Sequence, residues 1–259
     1  MKIVVCVKQI PVVSQVVLTN QQPKLDGVEQ IINPYDEYTI EEGIALKERF
    51  GGQVIALSVG KKENDKCLRD AMSVGADEAV LVQDDNNQQS DVLRTSYILS
   101  KAIQKIGNVD IVIAGKVATD GNTHQTAPAL AGWLKWNQLI YVKKIEQIEN
   151  QKITVWRITN LAEQKIRSPL PVVISVVKEI NEPRLPSLKG KMAAKKYNIP
   201  IWSLQDIGIP DAIEYINNSA WRIREYSSKK DRPKGTRFIG EPEEVVNSFI
   251  KKIREDKIL

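Results

Sequence analysis

The sequence predicts an α/β fold built on a doubly wound, mostly parallel sheet. Three observations support this class. Apolar runs at 2–7, 53–59 and 111–114 lack polar alternation, as is typical of strands that helices cover on both faces. Segments with helical apolar spacing separate these runs. Loops that contain Gly, Asp or Asn follow several of them, and such loops mark the ends of parallel strands.

The first strand is predicted at Lys2–Val7, and Pro11 stops it. Two short excursion strands, Val16–Leu18 and Val28–Ile32, flank a turn at Pro23–Gly27. This region therefore leaves the sheet before the first helix begins.

The first helix is predicted to run to Phe50, where Gly51 follows it. Asn33 precedes Pro34, so Asn33 can cap the helix with proline at its first position. On these residues alone, a helix cap is a sufficient explanation for Asn33.

The alternation of strand and helix continues to residue 106. It predicts a strand at 53–59, a helix at 64–74, a strand at 78–82 and a helix that ends at Ile106 after a cap at Ser90 or Asp91.

The stretch from Asp110 to Trp136 organises the rest of the chain. It contains a buried strand at 111–114, a polar loop at 116–124 and a helix that begins near Gln125. Ligands of open α/β sheets bind at the carboxyl ends of strands, and free N–H groups of a following helix favour a phosphate. Gly121 allows close approach of the backbone. Alternatively, the Asp and Thr residues of this loop only cap the helix.

Three further strands are predicted at 139–148, 152–159 and 171–177, the first two as a hairpin. After them the chain becomes proline-broken and lysine-rich, and it ends in an amphipathic helix that starts at Glu241. We therefore divide the chain into an α/β domain at 1–181 and an arm at 182–259. The candidate anchors of this arm on a partner are Leu185, Leu188, Trp202 and Trp221, although packing on the chain's own sheet better explains the two tryptophans.

Composition excludes several classes of protein. A chain of 259 residues with 42% hydrophobic content can bury one large core. Cys6 and Cys67 form no disulfide framework, and neither lies at metal-ligand spacing from His124, so no metal site is expected. The net charge of +5 is interspersed with acidic residues and lacks a nucleic-acid-binding motif. Without a signal peptide or a twenty-residue apolar span, the chain is expected to be cytoplasmic, with no insertion into a membrane.

Several stretches together resemble the beta subunit of electron transfer flavoprotein over nearly the whole chain. They are Val5–Pro11, Asn33–Tyr38 with Glu41 and Glu42, Ala56–Gly60, Leu68–Asp77, the loop after residue 115, and Asn181–Lys196. The resemblance implies a fold of the adenine nucleotide alpha hydrolase type with a C-terminal arm that embraces a partner. It also implies an electron-carrier subunit without a catalytic residue of its own, not a stand-alone enzyme.

In that family an alpha subunit holds the redox-active FAD, and the beta subunit binds AMP or, in flavin-bifurcating members, a second FAD. Carried over by position, the resemblance implies nucleotide contacts from ten residues. These are Cys6, Asn33, Val59, Asp120, Gly121, Asn122, Thr123, His124, Gln125 and Thr126.

The chain is more similar to the FixA and bifurcating branch of the family than to the AMP-binding branch. The similarity lies in 91–97, in 115–123 and in the tail from Pro200 to Glu243. Two departures leave the choice between FAD and AMP open. His124 stands where a small residue or Asn is usual, and Ala127 stands where the family has glycine.

The segment 184–196 is similar to the family's recognition loop, which docks on a flavin dehydrogenase such as an acyl-CoA dehydrogenase. By this resemblance the partner-binding residues are Arg184, Leu185, Leu188, Lys191 and Lys195, with Leu188 at the anchor position. One buried apolar side chain ringed by steering lysines suits a transient encounter, although the lysines can also be a solvated helix face.

Two other functions compete with the electron carrier. One is a stand-alone adenine-nucleotide-binding α/β enzyme, but the chain has no GxxxxGK[ST] loop. The other is a nucleotide-sensing module, which would need no arm with a hydrophobic docking residue.

Overall fold

The computed structural model describes residues 1–85, 91–210, 223–227 and 235–258. The chain forms two compact units, Met1–Arg224 and Glu225–Leu259. The first contains the sheet and its helices.

The strands of the described residues are named in chain order. They are β1 (Lys2–Cys6), β2 (Gln9–Pro11), β3 (Val17–Thr19), β4 (Gln22–Lys24), β5 (Gln30–Ile32), β6 (Gln53–Gly60), β7 (Glu78–Gln83), β8 (Ile111–Gly115), β9 (Asn137–Glu149), β10 (Lys152–Ile158), β11 (Glu163–Pro169), β12 (Val172–Val176) and β13 (Ile201–Trp202).

The α-helices of the described residues are named in the same way. They are α1 (Pro34–Phe50), α2 (Lys66–Val74), α3 (Val92–Ile106), α4 (Thr126–Leu134), α5 (Leu188–Lys196) and α6 (Pro242–Glu255). The predicted cap of α3 is confirmed at Asp91, whose side chain accepts the Arg94 N–H at 2.9 Å. Ser90, the other candidate, lies outside the described residues.

The large sheet has the strand order β11-β10-β9-β12-β8-β1-β6-β7-β13 among the described strands. β1 pairs in parallel with β6 on one side and with β8 on the other. From β1 the chain builds outward through β6 and β7, then crosses to β8 and continues outward through β12. The order therefore reverses between β1 and β8, which makes this position the topological switch point.

The predicted doubly wound, mostly parallel α/β sheet is confirmed. Its antiparallel part is larger than the predicted hairpin because β11 pairs with β10 at the edge. The segment that forms β11, EQKIRSP, has a single large apolar residue, Ile166, and so gives no alternating pattern. Charged side chains on this strand are typical of an edge that must not pair with another chain.

Two apolar clusters lie on the two faces of the sheet. One packs α1 and α2 against residues such as Val5 and Ile113, and the other packs α3 and α4 against residues such as Val4 and Val112. These strand residues are fully buried. The unbroken apolar strands are explained by this coverage on both faces.

Residues 184–196, named here the recognition segment, belong to the first compact unit, Met1–Arg224. The sequence-based boundary after residue 181 instead placed this segment with the arm. α5 packs on α2 so closely that a Cβ on Gly190 would overlap the carbonyl oxygen of Ser73. β13 pairs with β7, and Trp202 packs against the α3 and α4 cluster, as predicted. Trp221 lies outside the described residues.

The second unit contains the predicted terminal helix. α6 begins at Pro242, carries Glu243 and Glu244 in its first turn, and has basic residues in its last turn, which suits the helix dipole. Phe238 stacks edge to face with Phe249, with ring centroids 5.9 Å apart. Within the described part of the chain, no helix has the length and apolar character needed to cross a membrane.

Candidate functional site

The candidate site lies at the carboxyl edge of the sheet, at the switch point. The loop between β8 and α4, residues 116–125, leaves the sheet there. Cys6 ends β1, and Val59 is the next-to-last residue of β6, the adjacent strand. The topology thus brings Cys6, Val59 and the loop to one edge of the sheet.

Asn33 joins this edge, although not in the way that the sequence suggested. Asn33 precedes α1, but its side chain makes no capping hydrogen bond. Its amide Nδ2 donates to the carbonyl oxygen of Val117 at 2.9 Å, and its Oδ1 accepts the Thr119 N–H at 3.2 Å. Asn33 thus occupies the predicted N-cap position, with Pro34 at the start of the helix, but its side chain does not cap α1 and instead ties the start of α1 to the loop after β8.

Asp36, which the sequence analysis did not single out, accepts a hydrogen bond from the Asn33 side chain. Its Oδ1 accepts from Asn33 Nδ2 at 2.9 Å, and its Oδ2 accepts the Lys8 N–H at 2.8 Å. Burial raises the pKa of Asp36 to about 7, and the hydrogen bonds from Asn33 and Lys8 oppose this rise. Asp36 and Glu37 both lie in the first turn of α1, where acidic residues are common, so the sequence did not show that Asp36 is buried.

Lys8 connects the same network to the loop after β8. Its ammonium lies 2.6 Å from Asp120 Oδ2, and both side chains are partly exposed. Asp120 is therefore paired with a cation of the loop after β1 and does not serve as the N-cap of α4.

The loop itself presents polar groups to solvent. Asp120, Gly121, Asn122 and Gln125 are exposed, whereas Thr123, His124 and Thr126 are half-buried. Gln125, at the N-cap position of α4, makes no side-chain capping bond. The alternative in which Asp and Thr side chains cap α4 is thus wrong, and the first N–H groups of the helix keep the character of an anion site.

Glycine is needed at the end of β8 more than in the loop. A Cβ at Gly115 would lie 2.5 Å from Asp36 Oδ1 and 2.9 Å from Tyr35 Cβ, whereas a Cβ at Gly121 would meet no atom within 4 Å. Ala127, which stands in place of a family glycine, is a buried residue inside α4. The side chain of Ala127 faces the core, so it does not obstruct the loop.

Cys6 and Val59 provide an apolar floor. Both belong to the cluster that includes Ala114 and Ala127. Burial raises the pKa of the Cys6 thiol to about 12, with a smaller contribution from the charge of Asp36. Burial thus favours the protonated thiol, and Cys6 adds apolar surface to this edge of the sheet.

The sequence analysis did not identify a buried ion pair that lies next to this edge. Arg94, in the first turn of α3, donates to both oxygens of Asp84, just after β7, at 2.9 and 2.7 Å. The side chains are only 6% and 1% exposed. Arg and Asp are both common at polar positions, so their presence in the sequence did not predict this pair. The bidentate geometry identifies it.

Arg184, a predicted partner-binding residue, is engaged within the chain. Its guanidinium contacts Glu41 at 2.8 Å and Glu48 at 2.6 Å, two carboxylates of α1. Asn181 adds a hydrogen bond to Glu42 at 3.0 Å. These bonds fasten the start of the recognition segment to α1.

The remaining predicted docking residues face solvent. Leu185 and Leu188 are 89% and 77% exposed, and Lys191 and Lys195 are exposed as well. Ser187 caps α5 by accepting the Gly190 N–H at 2.9 Å. A fixed helix thus displays apolar and cationic side chains on its outer face.

These features define a class of protein: a doubly wound α/β protein whose polar loops gather at the switch point, with a basic helix displayed beside the sheet. A family model described as electron transfer flavoprotein domain matches residues 25–207. The chain therefore belongs to the electron transfer flavoprotein family, and it takes part in electron transport.

Individual relatives identify the chain within this family as a beta subunit of the FixA type. The chain is 33% identical to the electron transfer flavoprotein subunit beta of Thermoanaerobacterium thermosaccharolyticum over the full length of both. It is 37% identical to protein FixA of Azorhizobium caulinodans, over 82% of this chain and 78% of that protein. It is also 33% identical over both full lengths to subunit CarD of the caffeyl-CoA reductase-Etf complex of Acetobacterium woodii.

Proposed function

We propose that this chain binds an adenine nucleotide, FAD or AMP, at the switch point. The observation that carries the proposal is the hydrogen bonding of Asn33 to both Val117 and Thr119, which holds the polar loop over the ends of β1 and β8. Cys6 and Val59 supply an apolar floor for the adenine. Residues 120–126 supply polar groups and the uncapped start of α4 for the phosphate.

The proposed complex is a heterodimer with an electron transfer flavoprotein alpha subunit. FAD, when bound, supplies reversible uptake and release of electrons. This chain supplies the binding site and the arm, and it needs no catalytic side chain.

Docking to a flavin dehydrogenase is the second part of the proposal. Leu188 provides one apolar anchor, and the surrounding lysines steer an acidic partner surface toward it. The relative from Acetobacterium woodii is named as part of a caffeyl-CoA reductase complex, which supports a dehydrogenase that acts on an acyl-CoA. The resemblance of residues 91–97 and 115–123 to the bifurcating branch supports a complex in which this subunit holds a second FAD.

The test is to co-express the chain with its alpha subunit and count FAD and AMP released on denaturation. Two FAD per heterodimer would support a bifurcating complex, and one FAD with one AMP would restrict this subunit to a structural nucleotide. A stable heterodimer without nucleotide in this subunit would refute the binding proposal.

Docking is tested with Leu188→Ala. Removing the exposed anchor should slow reduction by the dehydrogenase at least about tenfold, because a central interface anchor contributes about 2 kcal/mol. Nucleotide content should not change. Leu161→Ala is the matched control, since Leu161 is 98% exposed in a turn distant in sequence from α5. Equal rates for the two variants would refute the anchor role.

A further inference from the structure

The helix of the recognition segment, α5, has few of the contacts that usually fix a helix in place. It has nine residues, and a helix of this length is marginal in water without tertiary packing. Gly190 in its middle lowers the helix propensity further. Among its nine described residues Ala194 alone is buried, so little apolar surface attaches the helix to the protein. The position of α5 therefore depends on polar and backbone contacts with its neighbours.

Arg69, on the neighbouring helix α2, reaches the C-terminal end of α5. The last four carbonyl groups of an α-helix receive no N–H from within the helix, and Ala194 lies in this last turn. Arg69 Nη1 donates to the carbonyl oxygen of Ala194 at 2.8 Å and to that of Tyr197, the C-cap residue, at 3.2 Å. A cation at this end also interacts favourably with the helix dipole. One side chain of α2 thus holds the end of α5.

Arg69 is aimed at α5 by a second hydrogen bond. Its Nε donates to Oδ2 of Asp65, the residue just before α2, at 2.8 Å. A guanidinium holds its N–H groups in a rigid planar fork, so fixing Nε also fixes the direction of Nη1. Arg69 thus meets α5 with little further loss of side-chain freedom.

The start of the recognition segment is held in a comparable way. The guanidinium of Arg184 is paired with Glu41 and Glu48 of α1. Leu188, which is 77% exposed, lies between the attachment to α1 and the attachment to α2. A surface that is already ordered avoids the entropy cost of becoming ordered on binding.

We propose that Arg69 is a positioning residue for docking, which holds α5 so that Leu188 and the nearby lysines face a dehydrogenase in a fixed arrangement. This inference rests on the docking part of the proposed function and adds a residue that acts through α5. Without the Arg69 bonds the segment spends part of its time in other arrangements, and the apparent affinity of the partner falls in proportion. Electron transfer in the docked complex keeps its rate, because docking restores the same arrangement.

The test uses the full heterodimer as the varied substrate of an acyl-CoA dehydrogenase that reduces it. Arg69→Gln, which shortens the side chain and removes the guanidinium, should raise the KM for the heterodimer about five- to tenfold and leave kcat within about twofold. Arg69→Lys should restore most of the affinity, because an ammonium can donate to the same carbonyl oxygens. The content of FAD and AMP should not change in either variant.

Lys66→Gln is the matched control. Lys66 lies on the same helix, and its ammonium also donates to a backbone carbonyl, but to that of Gln30 in β5, at 2.6 Å. The control removes the same charge from α2 and should leave KM unchanged. An equal rise in KM for Lys66→Gln and Arg69→Gln would assign the effect to the charge of α2 and overturn the proposal.

A double variant separates positioning from direct contact. Leu188→Ala alone should raise KM, and adding Arg69→Gln should then have a clearly smaller effect than in the native background, because the anchor that Arg69 positions is gone. The same increase in both backgrounds would mean that Arg69 contacts the dehydrogenase itself, which would refute positioning.

The failure of this inference is distinguishable from the failure of the proposed function. If Leu188→Ala raises KM and Arg69→Gln does not, the positioning role is wrong while docking stands. If Leu188→Ala leaves KM unchanged, docking fails and the positioning role fails with it. Amide hydrogen exchange of the native heterodimer needs no variant. The Tyr197 N–H, which donates to the Ala193 carbonyl at 3.0 Å, should exchange slowly, and exchange as fast as in an unstructured peptide would overturn the proposal.

Discussion

Replacing Asp36 with asparagine should remove a pH dependence of stability that the buried carboxyl imposes on the fold. Burial raises the pKa of Asp36 from 3.8 to about 7. Between these two values the folded state retains a proton that the unfolded state has lost. Stability should therefore fall as the pH rises through this window and become level above it.

The magnitude follows from the two pKa values. They differ by about three pKa units, and one pKa unit corresponds to 1.36 kcal/mol. Ionised Asp36 therefore costs up to ~4 kcal/mol relative to the protonated form. The asparagine introduced by Asp36→Asn carries no charge and incurs none of this cost. Its amide NH2 group, however, faces one of two donors, Asn33 Nδ2 or the Lys8 N–H. That donor loses its acceptor, which costs about 1–3 kcal/mol at every pH.

The assay is urea unfolding of the native chain and the Asp36→Asn variant from pH 4.5 to 8. The variant should be less stable at the acid end and should approach or exceed the native chain at pH 8. Asp26→Asn, at an exposed turn position, is the control and should give a difference that does not change with pH. A constant difference for Asp36→Asn as well would refute the inference that this carboxyl is buried and titrates near neutrality.

Two further substitutions test other contacts. Gly190→Ala should detach α5 from α2, because the new Cβ would overlap the Ser73 carbonyl. It should cost about 1–3 kcal/mol and expose the segment to limited proteolysis. Gly132→Ala in α4, where a Cβ meets no atom within 4 Å, should instead be neutral or stabilising. Arg94→Met should cost about 3–5 kcal/mol in urea unfolding, because the buried carboxylate of Asp84 loses its bidentate guanidinium partner. Adding Asp84→Leu should recover much of the loss, and a double variant as unstable as the single one would contradict this account.

Local patterns were sufficient for most of the sheet and its helices. Buried parallel strands give continuous apolar runs and covered helices give a 3.6-residue period, and both patterns are visible without the fold. A helix at α5 was only one alternative for the lysines of this segment, because Gly190 lies inside a lysine-rich stretch with few apolar residues. Contact with α2, and not local propensity, determines its position.

Local patterns also predicted part of the candidate site. A polar loop after an apolar strand indicates a strand-end site, so the loop at 116–125 could be found from the sequence. The role of Asn33 could not, because its partners Val117 and Thr119 lie 84 and 86 residues away. An Asn before Pro at a helix start has an adequate local explanation as an N-cap, and this pattern does not show that the side chain forms its hydrogen bonds elsewhere.

The sequence by itself determined the α/β class, the family and the loop at the switch point, because these depend on residue patterns that are local or repeated along the chain. The tertiary structure decided which polar groups are buried and paired. Asp36 is buried because α1 packs its carboxylate against Gly115 at the end of β8 and against the Lys8 N–H that follows β1. Such properties arise from contacts between segments far apart in the chain, and a linear pattern does not encode the distance between them.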